Sequence, residues 1–103
     1  FGRDGDQDDN CWLTAVLVDE STAGWGPDDL RSALERDDIE SRPLWKPMHL
    51  QPVYADRPSY VTGASEALFT QGLALPSGSA LTGEEVDRVV SSLEKFLADA
   101  LTT

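Results

Sequence analysis

Cysteine and histidine are scarce in this sequence, and their scarcity limits the chemistry it can carry. The 103 residues contain one cysteine, Cys11, and one histidine, His49. A single cysteine cannot form an intramolecular disulfide, and it cannot complete a zinc site with one distant histidine. His49 also lacks a recognisable local partner for a Ser/His/Asp triad. We therefore exclude these three kinds of site and expect Cys11 to be a small buried apolar residue.

Basic residues and long apolar runs are lacking too. Eight Lys and Arg residues stand against 19 Asp and Glu, for a net charge of -11, which opposes binding to nucleic acids or anionic membranes. No run approaches the ~20 apolar residues of a membrane span. The start of the sequence also lacks the pattern of a signal peptide. We expect a cytoplasmic protein whose charge favours solubility.

Residues 1–9 contain no apolar side chain after Phe1. This composition predicts a disordered segment or linker, so that residues 10–103 form one small domain. Four aspartates in residues 1–9 leave open a calcium loop, although the glycine and glutamate of such a loop are not at the required positions.

The first half of the sequence predicts two strands and a helix. The apolar run of residues 11–18 is typical of a strand covered on both faces. Residues 19–26 are rich in turn formers, and Trp25 among them is predicted to pack back on the domain. Pro27 suits the first position of a helix that ends near Arg36. A short strand is then predicted to end near Leu44.

The second half predicts a short helix, a short strand and a long helix. The short helix spans residues 62–71, with Thr62 as N-cap and Gly72 as its stop. Its inward residues are predicted to be Ala64, Ala67 and Leu68. Residues 73–75 form the strand.

The last helix has the clearest signals. Thr82 and Glu85 have the spacing of a capping box. Apolar residues then recur every three or four positions and predict one face that packs entirely on the core; they are Val86, Val89, Val90, Leu93, Phe96, Leu97, Ala100 and Leu101. The predicted fold class is α+β, a small sandwich of a short sheet of about three strands with helices packed on it.

The central segment, residues 42–54, holds three of the six prolines. Proline removes a backbone donor and disfavours helix at the preceding residue, so this segment is predicted to be neither a helix nor a regular central strand. It mixes apolar side chains with Arg42, Lys46 and His49. Two interpretations follow: a stiff crossover whose aromatic residues fill the core, or a rigid binding edge for an anionic ligand.

Three ordered motifs resemble one known family. The first is the central segment, Arg-Pro-Leu-Trp-Lys-Pro-Met-His-Leu-Gln-Pro-Val-Tyr; the others are Asn-Cys-Trp-Leu-Thr at residues 10–14, and Leu-Pro-Ser-Gly at residues 75–78 followed by Leu-Thr-Gly-Glu-Glu at residues 81–85. They are similar to motifs near the C-terminus of the DegT/DnrJ/EryC1/StrS sugar aminotransferases, in particular the perosamine-synthase-like members. The resemblance implies a C-terminal small domain of fold-type I, because the sequence has only a quarter to a third of the length of such an enzyme.

The family resemblance also implies a reaction. Its members use pyridoxal phosphate to move an amino group, plausibly from glutamate, to C4 of a nucleotide-linked 4-keto-6-deoxy sugar in glycan biosynthesis, usually as homodimers. Neither Lys46 nor Lys95 lies in the context of a cofactor lysine. We therefore expect the missing large domain to bind most of the cofactor, and this chain alone to be inactive.

By resemblance, Arg42, Trp45 and His49 match positions of the central motif, and Asn10 and Trp12 match the upstream motif. We expect Arg42, Trp45, His49 and Asn10 to bind substrate or cofactor. Arg42 suits a diphosphate, Trp45 a sugar or base face, and His49 a hexose hydroxyl or the cofactor phosphate. Core packing remains the alternative for the tryptophans, as does an ion pair with Asp38 or Glu40 for Arg42. Cys11 departs from the family pattern, where many relatives have a basic residue.

A second class of function stays open. The sequence could form a stand-alone acidic protein-interaction domain that has the fold without the catalysis. A long upstream reading frame with βαβ periodicity would favour the enzyme, whereas a start codon near Phe1 would favour the interaction domain.

Overall fold

The computed structural model describes residue 8, residues 12–78 and residues 80–102. The expected linker at residues 1–9, except for Asp8, and the predictions for Asn10 and Cys11 lie outside these ranges, as do three of the four aspartates of the calcium alternative. No helix in the described ranges is long and apolar enough to cross a membrane.

A three-stranded antiparallel sheet is the centre of the fold. Its order is β1 (Thr14–Leu17), β3 (Gly72–Leu75) and β2 (Arg42–Pro43), with β3 in the middle. Thr14 pairs with Leu75 in β3, and Arg42 pairs with Ala74. With the helices α1 (Glu20–Ala23), α2 (Pro27–Arg36), α3 (Ala64–Gln71) and α4 (Gly83–Leu101), this sheet confirms the predicted α+β class.

The core lies between β3, α2 and α4. Leu34 of α2 and Leu73 of β3 are its two most fully buried large side chains. Trp25 meets the Phe96 ring edge-on at 4.9 Å between centroids, which confirms that Trp25 packs back on the domain. The cluster is completed by Leu30, Ile39 and Leu75, with Val16, Val89 and Leu93 packed against it.

The caps of α2 and α4 confirm the local sequence signals. Pro27 is the first residue of α2, and the backbone N–H of Gly26 donates to Asp29 Oδ2 at 2.8 Å. At α4, the Glu85 N–H donates to Thr82 Oγ1 at 3.2 Å and the Thr82 N–H donates to Glu85 Oε1 at 3.2 Å. Such reciprocal bonds satisfy donors that the first helical turn leaves free.

Two predictions for the first half are corrected. Residues 19–26 are not only a turn, because Asp19 caps the single helical turn of α1 by accepting the Ser21 N–H. The run at residues 11–18 does not form a strand covered on both faces: β1 starts at Thr14, is an edge strand, and leaves Leu17 55% exposed. The strand buried along its whole length is β3, since it alone has a neighbour on each side in this sheet.

The prediction for the short helix is also wrong in detail. α3 starts at Ala64, and its N-cap is Gly63 with φ +91, a left-handed conformation that glycine adopts without steric cost, rather than Thr62. The helix buries no residue, and Leu68 is 46% exposed. α3 ends at Gln71, and β3 begins at the next residue, Gly72. Ala64, Ala67 and Leu68 are all exposed, so they do not form the predicted inward face.

The apolar face of α4 packs on the core only in part. Val89, Leu93 and Phe96 contact the core cluster. The apolar stripe is wider than the surface that the core covers, because helical rotation places Val90 and Leu97 to one side of Val89 and Phe96 rather than beyond them along the axis. The outer apolar residues of α4 remain exposed; they are Val86, Val90, Leu97 and Leu101.

Candidate functional site

Residues 42–54, which we call the signature segment, have the irregular backbone predicted from their prolines. After the two residues of β2, the chain makes two single turns of 3-10 helix, Met48–Leu50 and Pro52–Tyr54. The Leu50 N–H donates to the Pro47 carbonyl at 3.0 Å, and the Gln51 side-chain amide donates to the Lys46 carbonyl at 3.1 Å. Proline and these local bonds hold the segment in one shape without a regular ladder.

Leu44 fixes the start of the signature segment to the sheet. A Cβ atom added to Gly72 would overlap the Leu44 side chain and lie 2.6 Å from the Leu68 carbonyl oxygen. Glycine therefore lets Leu44 approach the backbone of β3 closely. The segment is attached at this point, and beyond it the side chains are exposed except for Pro47, His49, Leu50 and Gln51, which are half-buried.

The aromatic side chains of the segment do not fill the core. Trp45 is 69% exposed, and Met48, Val53 and Tyr54 are exposed too. Trp12, which is 67% exposed, lies beside Trp45 with 6.1 Å between ring centroids and a 43° tilt. The interpretation of the segment as a core-filling crossover is therefore wrong for this chain, and the two tryptophans form one accessible aromatic surface.

Arg42 makes the ion pair that the sequence left open. Its Nε and Nη2 donate to Glu40 Oε1 at 2.9 and 2.6 Å, and both side chains are more than 70% exposed. Exposed pairs of this kind contribute about 0–1 kcal/mol, because water competes for both charges. The guanidinium can therefore exchange Glu40 for an anionic ligand at little cost.

His49 lines an open cavity of about 300 Å³ formed by the signature segment and the residues just after it. Tyr54 and Arg57 line the same cavity. Sequence reasoning placed Arg57 in a surface loop and gave it no role. Residues 48–57 form neither a regular helix nor a strand, so no periodicity of the sequence relates Arg57 to His49.

The four predicted site residues therefore have different outcomes. Trp45 belongs to the aromatic surface, His49 to the cavity, and Arg42 to an ion pair, while Asn10 lies outside the described residues. Trp12, which the same upstream motif singled out, contacts Trp45. The contact joins two of the family-like motifs in space.

The described part of the chain offers no obvious anchor for pyridoxal phosphate. Lys46 lies in the irregular part of the signature segment and Lys95 in α4, and both are exposed. Lys95 lines an open cavity on α4 together with Asp37 and Asp99, not with the signature segment. Among the described residues no group of three His, Cys, Asp or Glu side chains is arranged to hold a metal ion. These residues do not fit the covalent site of the cofactor.

Comparison with known proteins identifies the family. The sequence profile of the DegT/DnrJ/EryC1/StrS aminotransferase family matches residues 2–94. The chain belongs to this family. Its fold matches a DegT DnrJ EryC1 StrS aminotransferase from Brucella abortus with a TM-score of 0.66 and 25% identity, over 82% of this chain and 22% of that one.

Individual family members are similar to this chain over only part of their length. EpsN of Bacillus subtilis, named as a pyridoxal phosphate-dependent aminotransferase, is 42% identical over 88 residues, which are 82% of this chain and 22% of EpsN. The GDP-perosamine synthase of Caulobacter vibrioides is 37% identical over 86 residues, which are 84% of this chain and 23% of the synthase. The chain thus spans less than a quarter of the length of these family members.

Proposed function

We propose that residues 10–103 are the C-terminal small domain of a pyridoxal-phosphate-dependent sugar aminotransferase, and that residues 1–9 lead into it from a large domain. The full-length protein would act as a cytoplasmic homodimer. It would transfer an amino group from an amino acid, glutamate, to C4 of a nucleotide-linked 4-keto-6-deoxy sugar. The observation that carries the proposal is the family match combined with a family-like signature segment whose aromatic and basic side chains are accessible.

The signature segment forms the rim of the substrate site in this proposal. Trp45 and Trp12 cover the apolar face of the hexose or the base, since indole rings bind planar and ring-shaped ligands over a large area. His49 hydrogen-bonds a hexose hydroxyl or the cofactor phosphate. Arg42 leaves Glu40 to bind the diphosphate, and Asn10 keeps the role that its motif implies.

The rest of the protein supplies the cofactor chemistry. Pyridoxal phosphate, when bound, withdraws electrons from the reacting carbon. The described residues contribute what surrounds that step: an aromatic wall that excludes water, and hydrogen-bonding side chains that orient the sugar. Because neither lysine fits a cofactor site, we propose that the chain has no transaminase activity by itself.

Visible absorption of the full-length protein tests this function. We expect added pyridoxal phosphate to give an absorption band that changes when glutamate is added. The His49→Ala variant should keep the absorption band and its change with glutamate. Its rate of sugar turnover should fall at least tenfold, because the variant lacks the hydrogen bond between the imidazole and the ligand. Lys95→Ala on α4 serves as the control and should retain turnover. A full-length protein without the band would contradict the enzyme function.

One observation favours the second candidate, an acidic interaction domain without catalysis. The exposed outer residues of α4, Val86, Val90, Leu97 and Leu101, form an apolar surface of the kind that partner proteins bind. The upstream reading frame discriminates between the two. A start codon near Phe1 would support the interaction domain, and a preceding region of two to three hundred residues, about the length the family resemblance implies, would support the enzyme.

A further inference from the structure

The cavity beside His49 is lined by groups that suit an anion. Four of its lining residues, His49, Tyr54, Arg57 and Ser59, have side chains that can donate a hydrogen bond. The remaining lining residues, Met48, Pro58 and Val61, are apolar, and no carboxylate lines the cavity. The cavity is open to solvent, so an anion can reach Arg57 directly.

The lack of carboxylates distinguishes this cavity from those that other basic residues line in a chain with 19 acidic residues. The cavity that Arg31 lines also contains Glu35, Asp38 and Glu40. The cavity that Lys95 lines contains Asp37 and Asp99. In those two cavities a basic side chain is offset by nearby acidic ones, whereas the cavity beside His49 has a cationic residue without such compensation.

Arg57 also has no ion pair within the described part of the chain. Arg31 lies 3.8 Å from Asp28, and Arg42 lies 2.6 Å from Glu40, but no carboxylate oxygen of the described residues is within 4.0 Å of Arg57. Its backbone is fixed all the same, because the Arg57 N–H donates to the Tyr54 carbonyl at 3.0 Å and Pro58 follows. The backbone of Arg57 is therefore fixed, and no carboxylate of the described residues neutralises the charge of its guanidinium.

We propose that Arg57 and His49 form a binding site for an oxyanion group of a substrate. The guanidinium supplies two parallel N–H donors for a phosphate or carboxylate, and His49 and Tyr54 supply further hydrogen bonds. Within the proposed function, on which the identity of the ligand rests, the oxyanion is the diphosphate of the nucleotide-linked sugar, which Arg57 would bind together with Arg42, or the carboxylate of the amino donor. His49 then bonds this oxyanion in place of the hexose hydroxyl or the cofactor phosphate. Arg57 is then a specificity residue that the family-like motif does not include.

Calorimetric titration of the full-length protein tests the site with two probes, inorganic diphosphate and glutamate. We expect Arg57→Gln to weaken binding of one probe by roughly tenfold to a hundredfold, the usual effect of losing a charged hydrogen bond. Arg57→Lys should retain part of the affinity. The matched control is Arg31→Gln, an exposed arginine with a carboxylate partner, which should change either affinity less than twofold.

The probe that loses affinity identifies the source of the oxyanion: diphosphate for the sugar nucleotide, glutamate for the amino donor. Modification by phenylglyoxal, read by mass spectrometry on the unaltered protein, gives a second measurement that no variant can obscure. The bound probe should protect Arg57 and not Arg31. Unchanged affinity for both probes in Arg57→Gln, or equal modification of Arg57 with and without them, would overturn the site. Diphosphate binding at Arg57 in a protein without transamination would overturn the proposed function alone.

Discussion

The two parts of this molecule use apolar side chains in opposite ways. In the layer of β3, α2 and α4, Leu34 and Leu73 are at most 1% exposed. In the signature segment and the residues after it, Trp45 and Val53 are about 70% exposed and Tyr60 almost fully so. The difference teaches that apolar content alone does not locate a core. In this chain the layer of β3, α2 and α4 stabilises the fold, and the signature segment is the region that we propose to bind the ligand.

The backbone explains the difference. α2, α4 and β3 satisfy their backbone donors and acceptors internally or with a neighbour, so their apolar side chains can be buried together. The signature segment pairs with the sheet only through Arg42 and Pro43. Beyond that pairing its prolines cannot extend the ladder, and its side chains stay at the surface.

The largest expected effect separates the two regions directly. Leu34→Ala should lower the free energy of unfolding of the chain by about 2–5 kcal/mol, because it leaves a cavity at a fully buried position. Val53→Ala removes a side chain of similar kind from the signature segment and should cost less than about 0.5 kcal/mol. Urea unfolding measures both. Equal losses would show that the signature segment belongs to the core.

The contact between Gly72 of the core and Leu44 of the signature segment gives the second largest expected change in stability. Gly72→Ala should lower the free energy of unfolding by about 1–3 kcal/mol, because the added methyl group meets Leu44 and the Leu68 carbonyl. Gly83→Ala is the control: it adds the same methyl group in open space within α4 and should stabilise by about 0.4–1 kcal/mol. A harmless Gly72→Ala would mean that Leu44 does not anchor the segment.

The N-cap of α4, Thr82, is expected to contribute less to the free energy of unfolding than the core residues. Thr82→Ala should lower the free energy of unfolding by about 1 kcal/mol, since it removes the acceptor for the Glu85 N–H. Thr62→Ala, at the threonine that does not cap α3, should change it by less than about 0.5 kcal/mol. Chemical denaturation compares the two, and a larger loss for Thr62→Ala would restore the sequence-based assignment of the N-cap.

The smallest effect depends on pH. Hydrogen bonds from Ser21 and Thr22 hold the pKa of Asp19 below its ordinary value of 3.8. A lowered folded-state pKa contributes stability that is present above 3.8 and lost as pH falls through the folded-state value. Asp19→Asn should therefore reduce the acid dependence of the unfolding midpoint below pH 3.8, because the variant lacks the carboxylate whose stabilisation acid removes. An identical acid dependence in the variant would contradict this role.

Local sequence signals predicted the stable region well. Pro27, Gly72, Thr82 and Glu85 mark the ends of helices where the structure has them. The predicted order of the three strands and the three longer helices along the chain is also correct, but the short helix α1 was not predicted. The exposures were harder to predict, because the exposure of Leu17, Leu68 and Leu97 depends on which side of each strand or helix the rest of the domain covers.

The candidate site was predicted in part. The motifs singled out Trp45 and His49, and the structure shows the accessible surface and cavity to which they belong. Arg57 could not be predicted, since its position beside His49 depends on two irregular turns. The ion pair between Arg42 and Glu40 was foreseen as an alternative, because neighbouring opposite charges in an extended segment often meet.

The affinity of the full-length protein for its nucleotide-linked sugar tests the central claim most directly. Trp45→Ala should raise the Kd about tenfold, through loss of the aromatic surface shared with Trp12, while the unfolding midpoint of the same preparation stays close to that of the unaltered protein. An unchanged Kd together with a clearly lowered midpoint would show that Trp45 supports packing, and would contradict the assignment of the signature segment to ligand binding.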